Sequence, residues 1–170
     1  PAAYAAAEDK TLEKVVFYME RGASARTVSG ESGLRFTALM PKSDYDALRL
    51  NSDYSEIEYG MLICPADYIE KYGALNAENV FGENAVYTDG ADDAKVKIMR
   101  FYSDEMTENE DGYMCFNGAI VDILPQNYLR QFVGVGYIAA KSASGTEYKF
   151  ACPQDNERSV VYVAQRALQE

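Results

Sequence analysis

The chain has 170 residues, 48% apolar and 25% charged, an ordinary globular composition with enough length to bury a core. Its 27 acidic and 16 basic residues give a net charge of −11, a field that repels a nucleic-acid backbone. The absence of histidine removes the commonest general base, every Ser-His-Asp or Cys-His arrangement and most catalytic zinc sites.

In chain order, residues 1–8 read as a linker or the remnant of a signal peptide. Five of the first seven residues are alanine, and small residues at alternate positions suit signal peptidase. Residues 9–170 read as a single α+β domain. Strand signals dominate it. Residues 15–19 form a bulky apolar run. Residues 23–28 and 34–40 flank a Ser/Gly-rich turn and predict a first hairpin. Leu34, Phe36, Ala38 and Met40 then share one face. Residues 61–64 form another short strand, and 76–94 read as a long surface loop. Residues 95–102 and 113–124 bracket an acidic tip and predict a second hairpin. Residues 133–141 and 146–152 predict a third.

An echo links these strands. Runs ending at Pro41, Pro65, Pro125 and Pro153 each lead into a helical pattern. Proline ends a strand because it brings no N–H to the ladder, and it is tolerated in the first turn of a helix. Tyr45 with Leu48, Tyr68 with Tyr72, and Tyr128 with Phe132 give each of the first three helices an apolar stripe. Val160, Val161, Ala164, Ala167 and Leu168 give the last one a longer stripe. The fold class is therefore α+β: a mostly antiparallel sheet, curled or sandwich-like, with short helices following Pro-terminated strands. No run of about 18 apolar residues occurs, so no membrane insertion is expected.

Cys64, Cys115 and Cys152 lie in apolar runs at spacings that fit no metal motif. Three buried thiols, or one disulfide and one free thiol, are both open. No metal or other cofactor is expected. The acidic tips at 89–93 and 104–111 lack a calcium-loop pattern and read as solvated.

Two groups of residues are candidates for ligand binding. If Gly30 and Glu31 centre the first turn, Arg26 faces Arg35 directly, and like charges so placed need a neutralising partner. The repulsion is relieved by a protein carboxylate such as Asp122, by the two side chains fanning into water, or by a bound anion held by two guanidinium forks. Tyr54, Tyr59, Tyr87, Tyr102 and Tyr113 lie in or near polar loops, where a flat ring with a hydroxyl suits sugars and protein partners. Tyr45, Tyr68 and Tyr128 read instead as core rings with an edge hydroxyl bond.

The run Gly22-Ala23-Ser24-Ala25-Arg26-Thr27 with Gly33-Leu34-Arg35-Phe36-Thr37 carries a resemblance. Tyr59-Gly60-Met61-Leu62-Ile63 before Pro65, Ile123-Leu124-Pro125-Gln126-Asn127-Tyr128, and Arg158-Ser159 add to it. Together, over roughly residues 20–168, they resemble an uncharacterised module that recurs in large secreted or surface proteins of anaerobic gut clostridia and ruminococci. The resemblance implies a secreted or cell-surface location beside neighbouring modules of a larger chain. It implies no catalytic residue. The expected function is a non-catalytic binding or adhesion module, not an enzyme, with a glycan or protein partner and no nucleic acid. The alternatives are a small carboxylate-dependent glycan-cleaving enzyme, which needs no histidine, and a structural spacer.

Overall fold

A computed structural model describes residues 8–28, 31–151 and 158–169. The alanine-rich start, the tip of the first hairpin, Cys152 and Pro153 lie outside the described residues. The strands and helices run in the order β1 (Tyr18–Met19), β2 (Ser24–Val28), β3 (Glu31–Pro41), α1 (Lys42–Arg49), β4 (Glu56–Pro65), α2 (Ala66–Tyr72), α3 (Ala77–Phe81), β5 (Tyr87–Thr88), β6 (Val96–Lys97), β7 (Met99–Ser103), β8 (Thr107–Glu108), β9 (Tyr113–Val121), β10 (Phe132–Ser142), β11 (Gly145–Phe150) and α4 (Val160–Gln169). Single 3-10 turns occupy Leu12–Lys14 and Pro125–Asn127. The class is α+β, with two antiparallel sheets and four short helices.

The first sheet runs β1-β3-β9-β8, with β2 sharing the β1 edge of β3. The second runs β11-β10-β4-β7. They stack face to face, so the sandwich form is realised. Leu34, Phe36, Ala38 and Met40 of β3 are all fully buried, and Phe36 and Ala38 meet β10 across the gap. That approach is close because β10 presents glycine there. A Cβ on Gly134 would lie 2.4 Å from the Phe36 ring, and one on Gly136 would lie 2.6 Å from Ala38. β5 and β6 form a separate parallel pair.

Strand β4 is buried on both faces from Tyr59 to Cys64. Tyr59, Met61 and Ile63 point into the core between the sheets. Leu62 and Cys64 point the other way, into a second apolar cluster with Leu75, Tyr87, Ile98 and Tyr137. That cluster is roofed by α2, α3 and β5. Tyr87 fastens the roof, its hydroxyl lying 2.6 Å from the Gly73 carbonyl oxygen and 3.1 Å from that of Tyr68. Burial pushes the Cys64 thiol up to about 12. Cys64 and Cys115 are both free and buried.

The N-terminal segment straps across one end of the sandwich. Asp44, buried in the first turn of α1, accepts Lys10 Nζ at 2.5 Å and the Val16 N–H at 2.7 Å. Burial alone would raise its pKa. The Lys10 ammonium and the Val16 N–H outweigh that and hold it below the ordinary value. Leu12, Val15 and Phe17 are thereby seated in the core.

Several expectations are corrected. Residues 95–102 and 113–124 do not form a hairpin: β7 pairs with β4, β9 pairs with β3, and only the short β8 folds back on β9. The chain changes sheets between β7 and β8, which local sequence pattern does not reveal. The expected helix over Tyr128 to Phe132 does not form: the 3-10 turn ends at Asn127, a non-helical turn follows, and Phe132 opens β10, paired with Pro65. The surface loop at 76–94 contains α3, capped by the Asn76 side chain accepting from the Asn79 N–H at 2.8 Å. The units at Pro41 and Pro65 form as expected, each proline immediately preceding a helix.

Two predictions follow from packing and charge. Phe132 is 7% exposed and belongs to the main core, so Phe132→Ala is expected to cost about 3–5 kcal/mol in a denaturant titration. For Asp44, a lowered folded pKa means that the unfolded chain binds more protons. Its stabilisation is complete above the ordinary value of 3.8 and is lost as pH falls through the lowered folded value. The stability gap between the wild type and Asp44→Asn, measured by urea midpoints, is expected to be widest near neutrality and to narrow below that ordinary value.

Candidate functional site

The outward face of β4 changes character along its length. Glu56 and Glu58 stand at one end and Leu62 and Cys64 at the other, with Gly60 between them. The α2–α3–β5 roof covers only the apolar half. Over the polar half the second sheet stays open as a groove of about 780 Å³, within the size range of ligand sites.

Register builds its floor. Ala139 lies opposite Glu58 on one side and Tyr148 on the other. Lys141 lies opposite Glu56 and Thr146. In the next row, Tyr137 lies opposite Gly60, which lies opposite Tyr102. The glycine is required there, since a Cβ at position 60 would sit 2.2 Å from the Tyr137 ring. Ala139 leaves a shallow centre between larger neighbours.

Arg100 of β7 organises one wall. Its Nη2 donates to Glu58 Oε2 at 2.7 Å, and its Nε donates to the Tyr137 hydroxyl at 2.7 Å. That hydroxyl donates to the same Glu58 oxygen at 2.7 Å, closing a triangle. Burial works against the Arg100 charge, but the bonds to Tyr137 and Glu58 prevail and raise its pKa. Burial raises the Tyr137 pKa, reinforced by its bond to Glu58. The guanidinium lies 4.4 Å from the Tyr102 ring centroid and 5.4 Å from that of Phe81. Phe81, at the end of α3, stacks on Tyr148 with centroids 4.7 Å apart and planes 4° from parallel.

The sequence candidates scatter. Tyr102 lines the groove and is 59% exposed. Tyr54 also lines it, but its hydroxyl accepts from the Leu12 N–H at 2.9 Å and donates to Glu147 at 2.8 Å. Tyr113 is exposed at the start of β9, in the first sheet opposite Pro41, and does not join the groove. Tyr59 and Tyr87 are not surface residues. Tyr59 sits at an inward position of β4 with a fully buried hydroxyl that has no hydrogen-bond partner among the described residues, and Tyr87 pins the roof. The direct opposition of Arg26 and Arg35 is also corrected. Val28 pairs with Glu31, so Arg26 faces Gly33 and Arg35 faces Ser24. Arg35 is exposed, and the Arg26 side chain lies outside the described residues.

Sequence reasoning missed Arg100, Glu58, Phe81, Tyr137 and Tyr148. The available signal was the alternation Glu56–Glu58–Gly60–Leu62, which marks a strand face turning from polar to apolar. Among the described residues, no three Cys, Asp or Glu side chains gather into a metal-sized cluster.

Tyr137→Phe removes one acceptor from Arg100 and one donor from Glu58 while keeping the ring over Gly60. A loss of about 1–3 kcal/mol in a urea titration is expected, as for an interrupted buried charge-assisted network.

Comparison with protein families, with curated proteins and with solved structures finds no match to this chain.

Proposed function

We propose that this chain is a non-catalytic binding or adhesion module of a bacterial extracellular multi-domain protein, and that it holds a glycan in the groove of the second sheet. The observation that carries the reading is the exposed Tyr102 ring held beside the Arg100–Glu58–Tyr137 triangle. Carbohydrate recognition needs a flat apolar surface for the sugar's C–H face and rigid polar groups for its hydroxyls. The groove supplies both on a sheet rather than on a loop. Glu58 Oε2 already takes two hydrogen bonds, an arrangement suited to positioning rather than to proton transfer.

The secreted or cell-surface placement rests on the resemblance described above. A chain of net charge −11 has little attraction for nucleic acid. No helix among the described residues is long and apolar enough to cross a membrane.

A printed glycan array with the whole chain tests the reading. Tyr102→Ala removes an exposed ring and one exposed cation–π contact with Arg100, and is expected to weaken binding about tenfold while costing no more than about 1 kcal/mol of stability. Equal binding by the variant would place the ligand elsewhere. Release of shortened sugars during incubation would instead make the chain a glycan-cleaving enzyme.

A further inference from the structure

We infer that the groove selects a neutral pyranose glycan over an acidic one, an inference that rests on the glycan reading above. The warrant is the groove's charge balance. Its lining carries three cations, Arg49, Arg100 and Lys141, and three anions, Glu56, Glu58 and Asp104. The two signs balance, and Arg100, the cation beside the exposed ring, is committed within the protein. It is held by Glu58 at 2.7 Å and by Asp89 at 3.4 Å, while Lys141 occupies the register position opposite Glu56. Arg49, at the groove's edge, donates to the Tyr45 hydroxyl of its own helix at 2.8 Å.

A uronate or sulfate group placed beside the Tyr102 ring would have to draw Arg100 away from Glu58 and Asp89. It would do so beside three carboxylates and inside the field of a chain at −11. A neutral sugar meets no such opposition. A guanidinium and a carboxylate fixed side by side offer a donor and an acceptor at adjacent points. That pairing matches two neighbouring hydroxyls, each of which can donate and accept. The Tyr102 ring, 59% exposed and within 4.4 Å of that guanidinium, is placed to carry the ring's C–H face while the hydroxyls turn to the ion pair. Ala139 leaves the central depression that a bulkier residue would fill.

The test presents the full chain with two glycan sets. One holds oligosaccharides of xylan, mannan, galactan and β-glucan; the other holds polygalacturonate and chondroitin sulfate. Binding to at least one neutral glycan is expected, with affinity changing less than about twofold between about 0.05 M and about 0.5 M NaCl. Glu58→Gln should weaken that same neutral ligand about tenfold, because an acceptor tied to Arg100 becomes a mixed amide. Should Glu58→Gln unfold, Tyr102→Ala serves in its place with the same expected loss. A preference for polygalacturonate or chondroitin sulfate, falling steeply with salt, would overturn this inference and leave the glycan reading standing. Neutral binding unaffected by both variants would overturn it by removing the ligand from the groove. No binding to either set would overturn this inference and the glycan reading together.

Discussion

Strand β4 has to satisfy water on one half of its outward face and exclude water on the other, and the second sheet is arranged around that division. From Tyr59 to Cys64 no side chain of β4 reaches solvent, so both faces need cover. The first sheet supplies one cover. The other comes from α2, α3 and β5, which close over Leu62 and Cys64. They cannot extend over Glu56 and Glu58 without burying two carboxylates, which would cost several kcal/mol per ion unless each were paired. The roof therefore stops where the polarity changes. Tyr137 marks the boundary, its ring in the apolar cluster and its hydroxyl on Glu58. The groove is the uncovered remainder of the same strand face.

Close sheet packing sets the depth of the core. Gly134 and Gly136 of β10 accept Phe36 and Ala38, and Gly118 of β9 accepts Met61 from the opposite sheet. Side chains of one sheet meet bare backbone on the other, which lets the two sheets approach closely. The same device recurs on the outward face, where Gly60 receives the Tyr137 ring. Glycine weakens a strand in isolation. Here each loss is offset by a side chain from a neighbouring element that a Cβ at that position would crowd.

What was legible in the sequence is what local chemistry decides. The buried face of β3 followed from simple alternation, and Pro41 and Pro65 marked real strand-to-helix junctions because proline's missing N–H acts at its own position. Partner choice was not legible. Residues 95–102 and 113–124 look like two arms of a hairpin, yet the strands they contain belong to different sheets, β7 pairing with β4 and β9 with β3. Phe132 stands four residues after Tyr128, a helical spacing, but its place opposite Pro65 makes it a strand residue. The Arg26–Arg35 opposition depended on where the turn was centred, and the observed pairing of Val28 with Glu31 separates them by two positions. Five scattered tyrosines were read by their polar neighbours. Parity within β4 put Tyr59 inside, whereas Tyr102 is exposed on the groove.

The candidate site was hidden for a further reason. Its members come from β4, β7, β10, β11 and α3, and none of them is distinctive in its own segment. Arg100 lies in the short strand Met99–Ser103 and reads alone as an ordinary edge cation. Its meaning arises from Leu62, the residue it pairs with, which places the guanidinium at the roof's margin, within reach of Glu58, Tyr137, Tyr102 and Phe81. A cation so surrounded is held on several sides at once, and so are the groups that hold it. The aromatic and polar parts of the groove are thereby fixed relative to one another before any ligand arrives. In the proposed glycan reading, that lowers the ordering cost the sugar would otherwise bear on an open sheet face.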